Sequence, residues 1–244
     1  MIYQTKGIVL RTIKYGETSI VVNIFTELFG IQSYLLNGIR ISGKTSSRAS
    51  LFQPTSILEM EVYHNDLKNL QRIKEFRWSY LYENILSDVT KNSVAIYMVE
   101  LLQKCVKQPE NNADLFNFSE DAFMQLDIAG QTITANFPLY FSLQLLHFFG
   151  FSIQDNYSKE RPILDLQEGI FIHYIPDHSY YLEDDYSYFI SQLLKARHPD
   201  DLSEIKLNNA ARREILLAFQ TYYTLHIQEF GVMKTLPILH EILS

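Results

Sequence analysis

Five short segments with the composition of β-strands follow one another in the first 76 residues, and turn residues separate them. The clearest is 56–63, where three apolar residues alternate with Glu59 and Glu61, so that one side of the strand is expected to be buried and the other exposed to solvent. The predicted strands are 6–13, 19–26, 31–36, 56–63 and 70–76. Five strands joined by tight turns and one longer loop predict a small barrel of the OB type, and an SH3-like barrel fits the same pattern.

After Arg77 the apolar residues recur three and four positions apart, as in amphipathic helices. Segments 80–86, 94–106, 114–126 and 137–149 follow this pattern, and a longer helix is predicted from an N-cap at Asn208 to Phe230, ended by Gly231. We therefore predict an α+β fold with two domains. Residues 1–79 form a five-stranded OB-type β-barrel, and residues 80–244 form an α-helical domain with an irregular insertion around 152–183.

Charge is divided unevenly along the 244 residues, whose net charge is −7. Residues 1–80 hold ten Lys and Arg against six Asp and Glu, a net +4, which leaves eleven against twenty-two, a net −11, for 81–244. No acidic residue lies between Leu28 and Leu58, and the only charges there are Arg40, Lys44 and Arg48. A basic front and an acidic rear indicate two parts with different partners.

Motifs for catalysis and for metal binding are weak or missing. The acidic run 183–185 is more typical of a solvated helix start than of a catalytic site, and His173 and His178 have no cysteine partners for a zinc site. The GKT of 42–47 lacks the spacing of a phosphate-binding loop. We expect no catalytic residue, no metal and no cofactor.

Cellular location is suggested by cysteine content and by hydropathy. Cys105 is the only cysteine, which excludes an intramolecular disulfide and fits a reducing compartment. The first residues lack the basic-then-apolar layout of a signal peptide, and no apolar run approaches the ~20 residues that cross a bilayer. We expect a cytoplasmic protein.

Basic residues on and beside the predicted barrel could follow a phosphate backbone, and exposed aromatic residues could stack on bases. The loop residues Arg40, Lys44 and Arg48 come first, because glycine and serine around them predict a mobile, acid-free loop. The predicted DNA-binding residues are Lys6, Arg11, Arg40, Lys44, Arg48, Arg72 and Lys74, with Lys14 and Arg77 nearby, and the aromatic residues near them in sequence are Tyr3, Tyr15, Phe25, Tyr34 and Phe52. On composition alone, these cations could equally be ordinary solubilising charges.

Three stretches carry a family resemblance. "KGIVLRTIKYGETSIVVNIFTELFG" (6–30), "NGIRISGKTSSRASLFQP" (37–54) and "LEMEVY" (58–63) resemble the N-terminal domain of the bacterial recombination mediator family RecO. The resemblance implies an OB-fold followed by a helical domain, without turnover chemistry. It further implies binding and annealing of single- and double-stranded DNA, pairing with RecR, contact with the acidic C-terminal tail of single-strand-binding protein, and help in loading RecA onto DNA coated by that protein.

The chain departs from many family members in one respect. They carry a cysteine-rich zinc-binding insertion after the central helix, whereas 152–181 contains no cysteine here. We therefore expect this excursion to be held by packing instead. The residues expected to pack are Ile163, Leu164, Ile170, Phe171, Tyr174, Tyr180 and Tyr181.

The acidic rear domain repels phosphate overall, so a protein partner is the natural expectation for it. An acidic, apolar tail would need a hydrophobic groove edged by basic residues, for which Lys104, Lys107, Arg212 and Arg213 are the predicted set. Two alternatives stay open: a protein–protein adaptor whose barrel binds peptide, and an enzyme that uses the acids of 183–185.

Overall fold

The computed structural model describes residues 1–39, 49–107 and 110–243, the Asp184 side chain excepted. The first five strands are β1 Ile2–Tyr15, β2 Ser19–Thr26, β3 Gly30–Leu36, β4 Ile57–Tyr63 and β5 Leu70–Tyr80. They close into a barrel in the order β1-β2-β3-β5-β4, with β3 and β5 parallel and the other pairs antiparallel. This closed five-stranded barrel confirms the OB-type prediction.

Alternation of apolar and polar residues explains the barrel, because successive side chains of a strand point to opposite sides. In β4, the apolar residues of the predicted alternation are buried, while Glu59 and Glu61 are half-buried on the outer surface. The buried residues of the barrel interior include Val9, Ile20, Val22, Ile24, Tyr34, Leu36, Leu58, Met60 and Val62. Strand β1 is longer than predicted because its first half pairs with β4 and its second half with β2.

Six α-helices follow in the described chain: α1 Val89–Cys105, α2 Ala113–Ile128, α3 Gln131–His147, α4 Asp184–Lys195, α5 Asn209–His226 and α6 Thr235–Ile242. The helix predicted at 80–86 is wrong. Tyr80 ends β5 instead, and Tyr82 is buried with its hydroxyl donating to the Thr55 carbonyl (2.8 Å). Helix α5 ends four residues before the predicted Phe230, because Ile227 adopts extended backbone.

The excursion between α3 and α4 contains a small antiparallel sheet. Strands β6 Ile163–Asp165, β7 Ile170–Ile172 and β8 Tyr181–Leu182 pair in the order β7-β6-β8. Ile163, Leu164 and Phe171 are buried as predicted. The packing predicted for Tyr174 is wrong, since this side chain is 77% exposed, and Tyr180 is also exposed.

The described chain forms two compact units, and each unit consists of two segments that are separate in sequence. The first contains 1–83 and 102–127, and the second contains 84–101 and 128–244. Helix α3 covers most of the helix predicted at 137–149 and is largely buried in the second unit, where both Tyr97 and Tyr223 make hydroxyl hydrogen bonds of 2.7 Å to Ser142. The domain boundary after residue 79 stays a prediction.

Helix α2 packs against the barrel within the first unit. The rings of Phe25 on β2 and Phe116 on α2 lie 5.6 Å apart, and both side chains are buried. The Lys6 ammonium reaches the Glu120 carboxylate at 2.8 Å, and this hydrogen bond raises the pKa of Lys6. The buried Asp127 carboxylate accepts the Glu83 amide at 2.8 Å. Helix α2 is therefore fixed by both apolar and charged contacts.

The turn between β2 and β3 requires glycine at position 30. Gly30 has φ +61, a left-handed conformation that other residues adopt at a cost of about 1–2 kcal/mol. A Cβ atom there would overlap the Glu110 carbonyl oxygen and lie 2.9 Å from its amide nitrogen. Gly16 has nearly the same φ, +60, but open space around it.

We predict that Gly30→Ala destabilises the protein more than Gly16→Ala, because only Gly30 adds a backbone overlap to the cost of its conformation. Urea denaturation followed by fluorescence of Trp78, the only tryptophan, measures both free energies of unfolding. The Gly16 variant should lose about 1–2 kcal/mol and serves as the matched control. Equal losses would contradict the close approach of Glu110.

We also predict that Glu120→Gln lowers the free energy of unfolding at pH 8 by about 1 kcal/mol or less, since the Lys6 side chain is 44% exposed and screened. The folded-state pKa of Lys6 is raised above the unfolded value, so the stabilisation is fully present below the unfolded pKa and is lost as pH rises through the folded pKa. The difference between wild type and variant should shrink near pH 11. Asp121→Asn, one exposed position along α2, is the charge-matched control; because Asp121 contributes least to the raised pKa of Lys6, its loss should lower the free energy of unfolding by less.

Candidate nucleic-acid interface

The register of the barrel aligns two rows of outward-pointing residues across β1, β2, β3 and β5. Residues directly opposite on neighbouring strands share a side of the sheet, and the partners within these rows alternate with interior residues such as Val22 and Tyr34. One row is Arg11, Asn23, Ser33 and Leu70, and the other is Ile13, Val21, Leu35 and Arg72. We call these eight residues the open face.

The open face contains two arginines and no acidic residue. Arg11 and Arg72 are exposed, and neither makes a salt bridge to another described residue. Three strand spacings separate them, or ~14 Å along the sheet. Between them lie half-exposed neutral side chains, including Asn23 and Ser33, whose side-chain oxygens are 3.0 Å apart. This surface can receive an anionic, partly apolar ligand without carboxylate repulsion.

The opposite side of the barrel is different, because its cations are paired. The Arg77 guanidinium donates two hydrogen bonds to the Glu59 carboxylate at 2.7 and 2.9 Å, and Lys74 lies 2.7 Å from Glu61. The contact with Glu61 raises the pKa of Lys74, and the same contact lowers the pKa of Glu61. A cleft of about 230 Å³ on this side is lined by Glu59, Glu61 and Glu75 among others. Carboxylates therefore compensate the basic charge here.

The predicted DNA-binding residues thus separate into groups. Arg11 and Arg72 lie on the open face, Lys6 is paired with Glu120 on α2, and Lys74 is paired with Glu61. Arg72 and Lys74 are both exposed, but a register shift in β4 and β5 separates them: Arg72 lies beside Leu35 of β3, whereas Lys74 contacts β4.

The loop residues Arg40, Lys44 and Arg48 lie outside the described residues. The chain on either side of the loop is fixed to the barrel, since Ile39 belongs to the buried interior and Ala49 packs against it. Ile39 and Arg72 line the same cleft of about 270 Å³ at the end of β3. Ile39, the last described residue before position 40, therefore lies next to Arg72.

Three of the aromatic residues near the predicted cations cannot stack on bases. Phe25, Tyr34 and Phe52 are buried, and burial raises the pKa of the Tyr34 hydroxyl, which has no hydrogen-bond partner among the described residues. Tyr15 is exposed at the end of β1. Sequence reasoning missed Tyr63, which is exposed directly opposite Arg72 in the β4–β5 register. The signal in the sequence was the alternation of β4: Tyr63 follows Glu59 and Glu61 at the same spacing of two and therefore points outward as they do.

The four residues predicted to bind a protein partner do not belong to one unit. Lys104 and Lys107 lie in the first unit, and Arg212 and Arg213 in the second. The Arg212 guanidinium donates to Asn136 at 2.9 Å and to Asn209 at 2.7 Å, and burial lowers its pKa. Arg212 is therefore a positioned, partly desolvated cation rather than a loose surface charge.

The described residues offer neither a cluster of metal ligands nor a membrane-spanning helix. They contain no group of three or more His, Cys, Asp or Glu side chains placed to hold a metal ion. The acidic run 183–185 coincides with the start of α4, as expected for a helix N-terminus. None of the described helices is both long enough and apolar enough to span a bilayer.

Comparison with known proteins places both halves of the chain in one family. Residues 1–82 match the family described as "Recombination protein O N terminal", and residues 86–235 match "Recombination protein O C terminal". The chain is 30% identical over 242 residues to the DNA repair protein RecO of Azobacteroides pseudotrichonymphae, covering 99% of both chains. It is 31% identical over 241 residues, again 99% of both chains, to that of Flavobacterium psychrophilum. The chain therefore belongs to the RecO family of DNA repair proteins, and its role is in recombinational repair.

Proposed function

We propose that this protein is a non-catalytic recombination mediator whose barrel binds DNA through the open face and the adjoining loop 40–48. The observation that carries the proposal is the contrast between the two sides of the barrel: Arg11 and Arg72 lie on an acid-free face, whereas Lys74 and Arg77 are neutralised by carboxylates. In OB-folds the face formed by strands 2 and 3 and the adjacent loops binds oligonucleotides. Family membership supports the same assignment.

The chemistry of this surface suits sequence-independent binding. Each arginine that neutralises a phosphate releases counterions, which gives affinity without reading bases. The apolar residues between the arginines offer contact to exposed bases of a single strand, and Tyr63 beside Arg72 offers a ring for stacking. A duplex contacts the same cations through its phosphates alone. The protein would thereby hold single and double strands, and annealing of complementary strands needs only this charge neutralisation and alignment.

Mediation also requires protein partners. We propose that the protein pairs with RecR, contacts the acidic C-terminal tail of single-strand-binding protein, and thereby helps to load RecA onto DNA coated by that protein. Arg212 and Arg213 are the proposed contacts on the second unit, and Lys104 and Lys107 those on the first. Support comes from the family and from the positioned guanidinium of Arg212.

A second candidate is a protein–protein adaptor whose barrel binds peptide. The exposed apolar residues Ile13 and Leu70 on the open face favour it, because such side chains can receive an extended apolar segment. The two functions differ in salt dependence. Binding of single-stranded DNA must weaken steeply with salt if the barrel is a phosphate-binding surface, whereas an adaptor barrel has no such binding.

We predict that Arg11→Gln with Arg72→Gln weakens binding of a labelled single-stranded oligonucleotide several-fold and reduces the salt slope, by about 0.7 for each arginine removed. Fluorescence anisotropy at several salt concentrations measures both quantities. Lys74→Gln with Arg77→Gln changes the net charge equally on the paired side and should leave the slope near that of wild type. Equal losses in the two double variants would mean that net charge alone matters, against the open face as the site.

We further predict that Arg40→Glu, Lys44→Glu and Arg48→Glu, combined in one variant, weaken single-strand binding many-fold and lower the salt slope by about 0.7 for each cation lost. The control replaces Arg40 and Arg48 by lysine, which keeps the charge and should keep most of the affinity. Superimposable binding isotherms for wild type and the triple variant would remove the loop from the interface.

A further inference from the structure

A cleft of about 630 Å³ in the second unit lies where three helices begin. Its lining includes Thr90 from the start of α1, Gln131 from the start of α3 and Asn209 from the start of α5. These helices contain 17, 17 and 18 residues, so each has a developed macrodipole with its positive end at the cleft. We call this cavity the helix-start cleft.

The starts of the three helices differ in how their first amides are satisfied. Asp88 caps α1 by accepting the Lys91 amide at 3.0 Å, and Asn208 caps α5 by accepting the Ala211 amide at 2.8 Å. Helix α3 begins after Gly130 and has no side-chain cap. Because the first amides of a helix have no acceptor within the helix, α3 presents donors at the cleft.

Two cations contribute to the same lining. Lys91 is buried, with 8% of its surface exposed, and Arg212 is half-buried and held by Asn136 and Asn209. Among the described residues that line the cleft, Asp88 is the only carboxylate, and it already accepts an amide as the cap of α1. The local charge is therefore positive within an acidic part of the chain.

Thr134 provides an independent sign of a ligand. It lines the cleft and is 2% exposed, and its hydroxyl has no hydrogen-bond partner in the part of the chain that the structure describes. A threonine within a helix commonly bonds the carbonyl four residues earlier. Within the described chain the Gly130 carbonyl accepts the Thr134 amide at 2.9 Å, and the hydroxyl makes no such bond. A buried hydroxyl without a partner is unfavourable, and a bound oxygen atom would satisfy it.

We infer that the helix-start cleft binds a phosphate monoester. Its lining holds donors from three helices: the first amides and the Thr134 hydroxyl of α3, the Arg212 guanidinium of α5 and the Lys91 ammonium of α1. That arrangement matches the three oxygens of a tetrahedral dianion better than the two of a planar carboxylate. Ala129, Ala135, Ile242 and Leu243 give the cleft an apolar part, and its volume lies in the range of small-molecule sites. The ester could be a free nucleotide or the 5′ end of a DNA strand.

The test uses the full chain and inorganic phosphate as the first probe. The rise in unfolding temperature in phosphate over chloride of equal ionic strength should saturate with concentration, whereas the general stabilisation by an excluded anion does not. Calorimetric titration should likewise give a saturable site. Arg212→Gln should weaken this site at least about tenfold, since hydrogen bonds to charged groups are the strong ones. Arg213→Gln, the neighbouring position with the same charge change, does not line the cleft and should bind like wild type.

Thr134→Val covers the case in which the arginine variant fails to fold. It removes only an unpartnered hydroxyl, so the protein should stay folded in chloride while phosphate binding weakens several-fold. Titration with a nucleoside 5′-monophosphate, and with 5′-phosphorylated and unphosphorylated oligonucleotides in the Arg11→Gln, Arg72→Gln background, distinguishes a free nucleotide from a strand end. This background weakens DNA binding by the barrel, and the difference between the phosphorylated and unphosphorylated strands reports the contribution of the 5′ phosphate alone.

Several results would overturn the inference. One is an unfolding temperature in phosphate equal to that in chloride, and another is equal affinity for phosphate in wild type and in both cleft variants. A third is an acidic peptide that binds in an Arg212-dependent manner while phosphate does not bind.

Discussion

The parallel pairing of β3 with β5 is the interaction on which the barrel and its surface depend. Three residue pairs form it, and the middle pair joins the buried Tyr34 to the buried Gln71. The Gln71 amide is fully engaged: its oxygen accepts the Asn65 amide at 3.0 Å, and its nitrogen donates to the carbonyls of Asn65 and Lys68. One buried side chain therefore satisfies the turn between β4 and β5 while β5 closes the barrel. Without this closure, Arg72 would not lie beside Leu35 in the same row as Ile13.

Closure of the barrel also explains why some of its cations are paired with carboxylates and others are not. The acidic residues of β4, Glu59 and Glu61, are spaced two apart, so both point outward. The neighbouring strands β1 and β5 carry Lys6, Lys74 and Arg77 and bring these cations close to β4. Strands β2 and β3 carry no acidic residue, so the cations that border them stay uncompensated. The modest net charge of the first 80 residues thus hides one neutralised side and one basic side. A phosphate backbone responds to the local potential of a surface, not to the sum over a domain.

Much of the fold could be predicted from the sequence, because period-two alternation in β4 and the helical spacing after Arg77 are local signals. The site was harder to predict. The separation of Arg72 from Lys74 depends on a register shift between β4 and β5. The ion pair of Lys6 with Glu120 joins residues 114 positions apart, and a local sequence pattern cannot predict either feature. The prediction of a helix at 80–86 was wrong for a related reason. Helical spacing of apolar residues over only seven positions does not exclude the end of a strand followed by a buried tyrosine, and Tyr82 is such a residue. The same limit applies to Phe25, Tyr34 and Phe52, since proximity in sequence to basic residues did not indicate that these side chains are buried.

The second unit shows that net charge and local field can have opposite signs. The second unit holds nine Lys and Arg against sixteen Asp and Glu, a net −7, yet the helix-start cleft gathers two cations and three positive helix ends around a single carboxylate. Helix dipoles act within about one turn of the terminus, and salt screens exposed charges beyond about 10 Å, so distant surface acids contribute little inside the cleft. Overall acidity therefore argues against a broad DNA-binding surface on this unit but not against a small, enclosed anion site. Where the described helices begin, rather than how many acids they carry, determines which ligands this unit can accept.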